Sequence, residues 1–178
     1  LDEQIPRMTD EEIIKKYPWT TTGKTPDRER NIITSLDLNP VKQEIMNRKF
    51  QAKFKKIEQT EVRFEKIMCD DAQYLFVAYG SSARICQKAV LLGREKGIKV
   101  GLLRPITLFP YPSIELAKLS KQVKGMLSVE MSAGQMVEDV RLSVAGAVPV
   151  EHYGRLGGIM PAPDEVLNVL EENFIKEK

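Results

Sequence analysis

The segment Tyr74-Leu-Phe-Val-Ala-Tyr-Gly-Ser-Ser-Ala83 decides the fold of this chain. It opens with a continuous apolar run, which is typical of a β-strand covered on both faces. Gly80-Ser81-Ser82 then turns the chain into a segment in which Ile85, Ala89 and Leu92 recur at helical spacing. A buried strand that feeds directly into a helix predicts a parallel sheet with helices on its faces.

The same order of elements repeats along the rest of the chain. Short apolar runs at 99–103, 126–131 and 148–153 predict three more strands, each followed by a helix-like segment. Pro149 indicates that the last of these strands lies at a sheet edge or opens late. The sequence therefore predicts an α/β fold of three layers, in which a short, mostly parallel sheet is flanked by helices.

The first part of the chain has a different pattern, and we predict a leader and long connecting helix over 1–70, followed by the α/β domain over 71–178. Thr9 and Glu12 form a capping box for a short helix. Asn39-Pro40 starts the long helix, whose apolar stripe predicts that it extends to about Glu65. The breaker-rich segment between them is an extended strap anchored by Trp19 or a mobile leader, and both alternatives stay open.

Composition sets limits on the class of protein. The chain has 178 residues, 42% of them hydrophobic, and a formal net charge of +2, which favours neither nucleic acid nor a membrane as a partner. No apolar run approaches the ~20 residues needed to span a bilayer, and the polar first residues are not a signal peptide. Cys69 and Cys86 form no CxxC pair, so we expect a reduced, cytoplasmic protein.

The basic face of the long helix has two interpretations. A solvated surface is the simpler one, and a docking surface for an acidic protein is the alternative. The residues of this face are Lys42, Arg48, Lys49, Lys53, Lys55 and Lys56.

Two loops are weak candidates for anion binding. Gly80-Ser81-Ser82 lies where a strand feeds a helix N-terminus, whose free N–H groups and dipole attract phosphate or carboxylate. Ser132-Ala-Gly134 is a second loop of the same kind. A purely structural turn is the alternative at both places.

Other residues are candidates for contact with a partner. The glycines of Gly154-Arg-Leu-Gly-Gly158 follow a strand end, and they form either a partner or ligand contact with Arg155 at its tip or a flexible connection to the last helix. Arg104 is either a salt-bridged strand end or a contact across a subunit boundary. Phe109-Pro-Tyr111-Pro112 is a rigid apolar loop that packing against a neighbouring domain would explain.

No catalytic set is recognisable in the sequence. His152 is the single histidine and lies within an apolar strand, where a hydrogen-bonded core imidazole is the expected role. Two cysteines are too few for iron–sulfur ligation and lack zinc spacing. We therefore predict no catalytic residue, no metal ligand and no cofactor-binding residue in this chain.

Taken in order, four motifs resemble the 2-oxoacid:ferredoxin oxidoreductases. The motifs lie at 77–84, 103–112, 135–141 and 153–158 and resemble the carboxyl-terminal half of the subunit that carries the thiamine pyrimidine-binding domain. Thr22-Gly23, Arg28-Glu-Arg30 and Ser35-Leu36 are also similar to the 2-oxoisovalerate (3-methyl-2-oxobutanoate) subtype. The resemblance covers roughly residues 17 to 174.

This resemblance implies a fold like the carboxyl-terminal domain of transketolase. It implies a complex that decarboxylates a 2-oxoacid on thiamine diphosphate with magnesium, passes electrons through iron–sulfur clusters to ferredoxin and transfers the acyl group to coenzyme A. The reactive centre would lie in other domains and subunits, so this chain alone is expected to be inactive. The roles implied here are contacts with other subunits, for Arg104, Phe109, Tyr111, Arg155, Gly157 and Gly158.

Two alternative functions remain open from the sequence. One is a free-standing nucleotide- or phosphate-binding α/β module that uses Gly80–Ala83 or Ser132–Gly134. Against it, the chain has no acidic ribose-binding residue at the usual spacing and no phosphate-binding lysine. The other is the equivalent domain of a different thiamine-dependent dehydrogenase.

Overall fold

The computed structural model of the chain describes residues 7–21, 26, 29–32 and 34–176. Thr22-Gly23 and Arg28, which contribute to the resemblance, lie outside the described residues. The chain divides into two compact units, Leu1–Lys49 and Phe50–Lys178.

The first unit contains helix α1 (Asp10–Lys16) and the start of helix α2 (Pro40–Thr60). Thr9 and Glu12 form the predicted capping box at the start of α1. The side chain of Asn39 accepts hydrogen bonds from the backbone N–H groups of Val41 and Lys42, both at 3.1 Å. Both helix starts are therefore confirmed. Trp19 is 59% exposed and its ring meets that of Tyr17 edge to face.

The second unit holds the α/β part of the chain. In chain order its remaining elements are β1 (Phe64–Ile67), β2 (Tyr74–Ala78), α3 (Gly80–Glu95), β3 (Val100–Pro105), α4 (Ser113–Leu119), β4 (Gly125–Glu130), α5 (Met136–Val144), β5 (Val150–Gly154) and α6 (Pro163–Phe174). The predicted strands at 99–103, 126–131 and 148–153 correspond to β3, β4 and β5, with ends that differ by one or two residues.

The strands form one sheet in the order β1-β3-β2-β4-β5. β2 pairs in parallel with β3 and β4, and β4 pairs in parallel with β5. β5 is an edge strand that begins just after Pro149, as predicted, since proline lacks the N–H that a central strand would use. The sheet is mostly parallel, which confirms the predicted fold class.

The predicted extension of the long helix to about Glu65 is wrong, because α2 ends at Thr60 and Phe64–Ile67 forms β1. This strand pairs antiparallel with β3, and Phe64 lies opposite Pro105. In a strand, residues separated by three positions point to opposite faces. Accordingly Phe64 packs on one side of the sheet and Ile67 on the other. The predicted boundary between the leader part and the α/β domain, after residue 70, stays a prediction. Strand β1 of the sheet lies before this boundary.

Two apolar clusters lie on opposite faces of the sheet. Alternate residues of β2 separate them, because Leu75 and Val77 belong to one cluster and Phe76 and Ala78 to the other. Helices α4 and α5 cover the first face, through residues such as Leu116 and Val140. Helices α3 and α6 cover the second face, through residues such as Val90 and Leu170. The three predicted layers are therefore present.

Candidate functional site

The carboxyl ends of β2, β3, β4 and β5 lie along the same edge of the sheet because these strands are parallel. We call this the carboxyl edge, formed by the turn at 79–80 and the loops 106–112, 131–135 and 155–162. In open α/β sheets, ligands and partners bind at this kind of edge.

All the predicted interface residues lie along the carboxyl edge. The carboxyl end of β3 carries Arg104, and the loop after it carries Phe109 and Tyr111. The loop after β5 carries Arg155, Gly157 and Gly158. Since β2 and β4 stand between β3 and β5, the two groups are separated by about 14 Å, or three strand spacings. The two groups thus extend from strands at the same end of the sheet that are not direct neighbours.

Each of the two candidate arginines has an ion-pair partner within the chain. Arg104 Nη1 lies 3.0 Å from Glu65 Oε2, which joins β3 to β1 across their paired residues. This confirms the salt-bridged strand end, and a contact with another subunit stays a prediction. Arg155 pairs with Glu165 in the first turn of α6. The charges of both arginines are therefore balanced within the chain.

Large apolar side chains are exposed along the carboxyl edge. In the loop after β5, Leu156 is 58%, Ile159 53% and Met160 58% exposed. Others that are exposed are Ile106, Leu108 and Phe109 after β3, and Met131 after β4. Gly157 and Gly158 have positive φ, and a Cβ added to either would meet nothing within 4 Å. Their backbone conformation favours glycine, whereas internal packing does not require it.

Phe109 and Tyr111 line a groove with a volume of about 710 Å³. The groove runs between the end of α2, the start of β1 and the start of α4, and Phe109 meets Phe54 edge to face with ring centroids 5.9 Å apart. The Tyr111 ring packs against the apolar cluster beneath α4 and α5. Burial, together with the charges of Asp139 and Glu130, raises the pKa of its hydroxyl.

The first weak anion candidate lies at the start of α3. Gly80 has a φ of +56° and no side chain caps this helix. Ser81 is exposed, whereas Ser82 is buried with 4% of its surface exposed. An anion at Gly80, Ser81 and Ser82 stays a prediction.

The second anion candidate is filled by a carboxylate of the chain itself. Glu130, the last residue of β4, has a side chain with no exposed surface. It accepts hydrogen bonds from the backbone N–H groups of Gln135, Met136 and Val137 at 3.1, 2.9 and 3.0 Å. These groups form the start of α5, where a negative charge also interacts favourably with the helix dipole. For the loop at Ser132–Gly134, the structure thus favours the structural turn over a site for an external anion.

Glu130 is held in its charged form. Burial acts to raise the pKa of this carboxyl, but the N–H groups of Met136, Gln135 and Val137 and the hydroxyl of Ser128 outweigh that effect. The pKa of Glu130 is therefore lowered. Ser132 Oγ lies 3.2 Å from the carboxylate as a further donor. A buried carboxylate that receives this many hydrogen bonds is stable as an anion.

His152 lies beside Glu130 on the neighbouring strand. Its Nε2 atom is 3.7 Å from Glu130 Oε1, and 21% of its side chain is exposed. In the described part of the chain this buried nitrogen has no hydrogen-bond partner, so the expected hydrogen-bonded core imidazole is wrong. Two glycines line the ring, since a Cβ added at Gly134 or Gly154 would lie 3.5 or 3.1 Å from Nε2.

Sequence inspection singled out His152 without its partner, Glu130. The available signal was an acidic residue at the end of a buried strand, followed six residues later by the first residue of a helix. Such a carboxylate can fold back onto the helix N-terminus that comes next.

The described residues contain no metal cluster and no membrane-spanning helix. Within 7–21, 26, 29–32 and 34–176, no three His, Cys, Asp or Glu side chains cluster so that they could hold a metal ion. Cys69 and Cys86 are both free and buried. No helix in these ranges is both long and apolar enough to cross a bilayer.

Comparison with known proteins identifies the family. Residues 72–166 match the model of the pyruvate:ferredoxin oxidoreductase core domain II, which is more than half of the chain. The chain belongs to this family.

Two of the curated relatives illustrate the similarity, and both come from Methanothermobacter. The ketoisovalerate oxidoreductase subunit VorB of Methanothermobacter thermautotrophicus is 42% identical over 164 residues, which cover 91% of this chain and 46% of that protein. The 2-oxoglutarate synthase subunit KorA of Methanothermobacter marburgensis is 33% identical over 107 residues, which cover 60% of this chain and 28% of that protein. The chain thus spans less than half the length of these relatives.

Two solved structures show the same fold. The 2-oxoglutarate:ferredoxin oxidoreductase from Magnetococcus marinus matches with a TM-score of 0.66 and 21% identity, over 76% of this chain and 24% of that chain. A split-gene transketolase matches with a TM-score of 0.53 and 14% identity, over 62% of this chain and 40% of that chain. Both confirm the transketolase-like α/β fold.

Proposed function

We propose that this chain is the carboxyl-terminal part of a subunit of a 2-oxoacid:ferredoxin oxidoreductase, with 2-oxoisovalerate as its substrate. The observation that carries this proposal is the 42% identity to a ketoisovalerate oxidoreductase subunit over 91% of the chain. The resemblance of the sequence motifs to the 2-oxoisovalerate subtype supports it independently of the fold. The proposal places the protein in the cytoplasm.

In this proposal the chain contributes assembly, and the reaction takes place elsewhere in the complex. Thiamine diphosphate with magnesium supplies decarboxylation, the iron–sulfur clusters carry electrons to ferredoxin, and coenzyme A accepts the acyl group. No residue described here is assigned to any of these groups. The relatives are named as subunits, which supports a chain that works among sister subunits.

The carboxyl edge is the surface that we propose for contact with the other subunits. It exposes several large apolar side chains, and exposed apolar clusters of this kind mark protein interaction sites. The charges of Arg104 and Arg155 are balanced by Glu65 and Glu165. A partner surface that is apolar and carries little charge fits this edge.

The test is a pair of substitutions in the complete subunit, co-produced with its sister subunits. Ile159→Asp places a charge on an edge residue that is 53% exposed, and Leu142→Asp places one on an α5 residue that is 80% exposed. We expect Ile159→Asp to lower recovery of the complex and its 2-oxoisovalerate-dependent ferredoxin reduction about tenfold, the equivalent of roughly 1.4 kcal/mol. Leu142→Asp should change neither. Equal behaviour of the two variants would contradict the assigned surface.

Two activity measurements test the assignment itself. The intact complex should reduce ferredoxin faster with 2-oxoisovalerate than with 2-oxoglutarate or pyruvate, and the opposite preference would overturn the substrate. The purified chain alone should not reduce a redox dye with any 2-oxoacid. If it does, the reactive centre lies within this chain and the architectural role is wrong.

A further inference from the structure

His152 and Glu130 are a pair of titratable groups that the proposed function does not use. They belong to the neighbouring parallel strands β5 and β4, and His152 lies directly opposite Ser128 in the register. The carboxylate of Glu130 is completely buried and held charged by backbone N–H groups of the loop that starts α5. At neutral pH a negative charge therefore stands beside the imidazole.

The contact between the two side chains is incomplete. Nε2 of His152 lies 3.7 Å from Oε1 of Glu130, whereas an N–H···O hydrogen bond spans about 2.7–3.2 Å. Nε2 has neither solvent contact nor a hydrogen-bond partner in the described residues. A buried polar atom without a partner is costly, so a state that satisfies it is favoured.

Charged groups of the two helices that pack near β5 have partners of their own. From α5, Arg141 reaches the backbone oxygen of Val150 at the opposite end of the strand and also pairs with Glu138. From α6, Glu165 pairs with Arg155 beyond the end of β5. Among the described acidic groups, Glu130 of β4 is the one that lies within ion-pair distance of the imidazole.

The His152 ring lies against the backbone of two neighbouring segments, so its position depends on theirs. A Cβ added at Gly154 would lie 2.7 Å from Cε1 of His152 and 2.1 Å from the backbone oxygen of Ser132. The end of β5, the imidazole and the loop before α5 are therefore in close contact. A movement of the ring by about half an ångström, which would complete the hydrogen bond, has to be shared by these segments.

We propose that His152 and Glu130 form a protonation-dependent latch between the end of β5 and the loop that begins α5. A proton from water adds to the neutral imidazole, and the Nε2–H of the resulting imidazolium donates a charge-assisted hydrogen bond to Oε1 of Glu130. No bond between heavy atoms forms or breaks. Closing the latch fixes Gly154 against Ser132 and so restrains the apolar loop 155–162 that follows.

The latch closes when the imidazole gains a proton, since only the imidazolium is a positively charged donor to the Glu130 carboxylate. The restrained loop 155–162 belongs to the carboxyl edge, and only this connection to subunit assembly rests on the proposed function. The latch itself is a property of the chain alone.

The single histidine makes the test unambiguous by nuclear magnetic resonance of the purified chain. On acidification from about pH 8 to about pH 5.5, we expect a His152 Nε2–H signal whose exchange with water is slowed about tenfold or more relative to Glu130→Gln. The amide signals of Gly134 and Gly154 should shift together with it. Glu138→Gln, an exposed change on α5, should behave like the unchanged chain.

A second variant keeps the proposal testable if Glu130→Gln does not fold. In His152→Gln the amide signals of Gly134 and Gly154 should no longer respond to pH over this range. The latch is overturned if those signals titrate equally in His152→Gln. It is also overturned if Nε2–H of the unchanged chain exchanges freely while the imidazole becomes charged. Neither outcome depends on the other subunits, so failure of the latch and failure of the proposed function are distinguishable.

Discussion

At the scale of single residues, the buried carboxylate of Glu130 occupies the candidate anion site at the start of α5. The free N–H groups at the start of α5 find their acceptor within the chain. The Glu130 carboxylate accepts hydrogen bonds from three of these backbone N–H groups and from two serine hydroxyls. The sequence shows Glu130 only as a charged residue at the end of an apolar run. Its partners lie up to seven residues further on and meet it only because the loop folds back, which no local pattern predicts.

The first prediction concerns the substitution Glu130→Gln. The amide retains an oxygen but loses the charge, so we expect the free energy of unfolding at pH 7 to fall by about 2 kcal/mol. Because the folded pKa lies below the ordinary value of 4.5, the ionised carboxylate contributes stability that is fully present above that value. This contribution is lost as the pH falls through the lower folded pKa. The gap between the two proteins should therefore narrow in acid.

Urea unfolding of both proteins, from about pH 7 to about pH 3, measures this gap. Glu138→Gln is the matched control, since that carboxylate is 73% exposed on α5, the helix whose first N–H groups bind Glu130. The control should differ from the unchanged chain by less than about 0.5 kcal/mol. A gap between the unchanged chain and Glu130→Gln that stays constant across the pH range would show that the charge of Glu130 does not stabilise the fold.

The second prediction compares two glycines of the carboxyl edge. In Gly154→Ala the new Cβ would lie 2.1 Å from the backbone oxygen of Ser132, so the backbone has to shift, at a cost of about 2–3 kcal/mol. In Gly157→Ala the Cβ meets nothing within 4 Å and the cost is the strain of a positive φ, about 1 kcal/mol. Thermal or urea unfolding of both variants measures the difference. An equal loss of unfolding free energy in both variants would mean that the backbone near Gly154 shifts at no measurable cost.

At the scale of elements, the sequence predicts correctly those segments whose apolar pattern fits only one kind of secondary structure. Tyr74–Ala78 is apolar throughout and opens into glycine and serine, which fits a buried strand and little else. Phe64 and Ile67 are three residues apart, a spacing that suits one face of a helix and also the two faces of a strand. The pairing of β1 with β3 decides between them, and that partner lies some 40 residues further along the chain.

The third prediction concerns the attachment of α6 to the sheet. Leu170 has no exposed surface and belongs to the cluster shared with α3, whereas Leu142 on α5 is 80% exposed. We expect Leu170→Ala to lower the free energy of unfolding by about 3 kcal/mol, the usual cost of a buried cavity. Leu142→Ala should cost less than about 0.5 kcal/mol. Urea denaturation at neutral pH gives both values, and a small effect of Leu170→Ala would mean that α6 contributes little to the core.

At the scale of the whole molecule, the buried clusters and the sheet come entirely from the second unit. Among the described residues, the buried apolar side chains begin at Cys69 and end at Leu170. In the first unit, α1 has no buried residue, and the same holds for α2, which extends from this unit into the second. Conformational entropy has to be offset by buried apolar surface, so the described residues before Pro40 contribute little to the stability of the sheet.

The last prediction follows from this distribution. A chain that begins at Asn39 keeps the N-cap of α2 and every residue of both clusters, so its free energy of unfolding should lie within about 1 kcal/mol of the full chain. Circular dichroism during urea unfolding measures both proteins, and a single cooperative transition is expected in each. The same truncation combined with Leu170→Ala should lose as much stability as Leu170→Ala does in the full chain, because distant sites act additively. Loss of cooperative unfolding in the truncated chain would show that the first 38 residues are needed to complete the core.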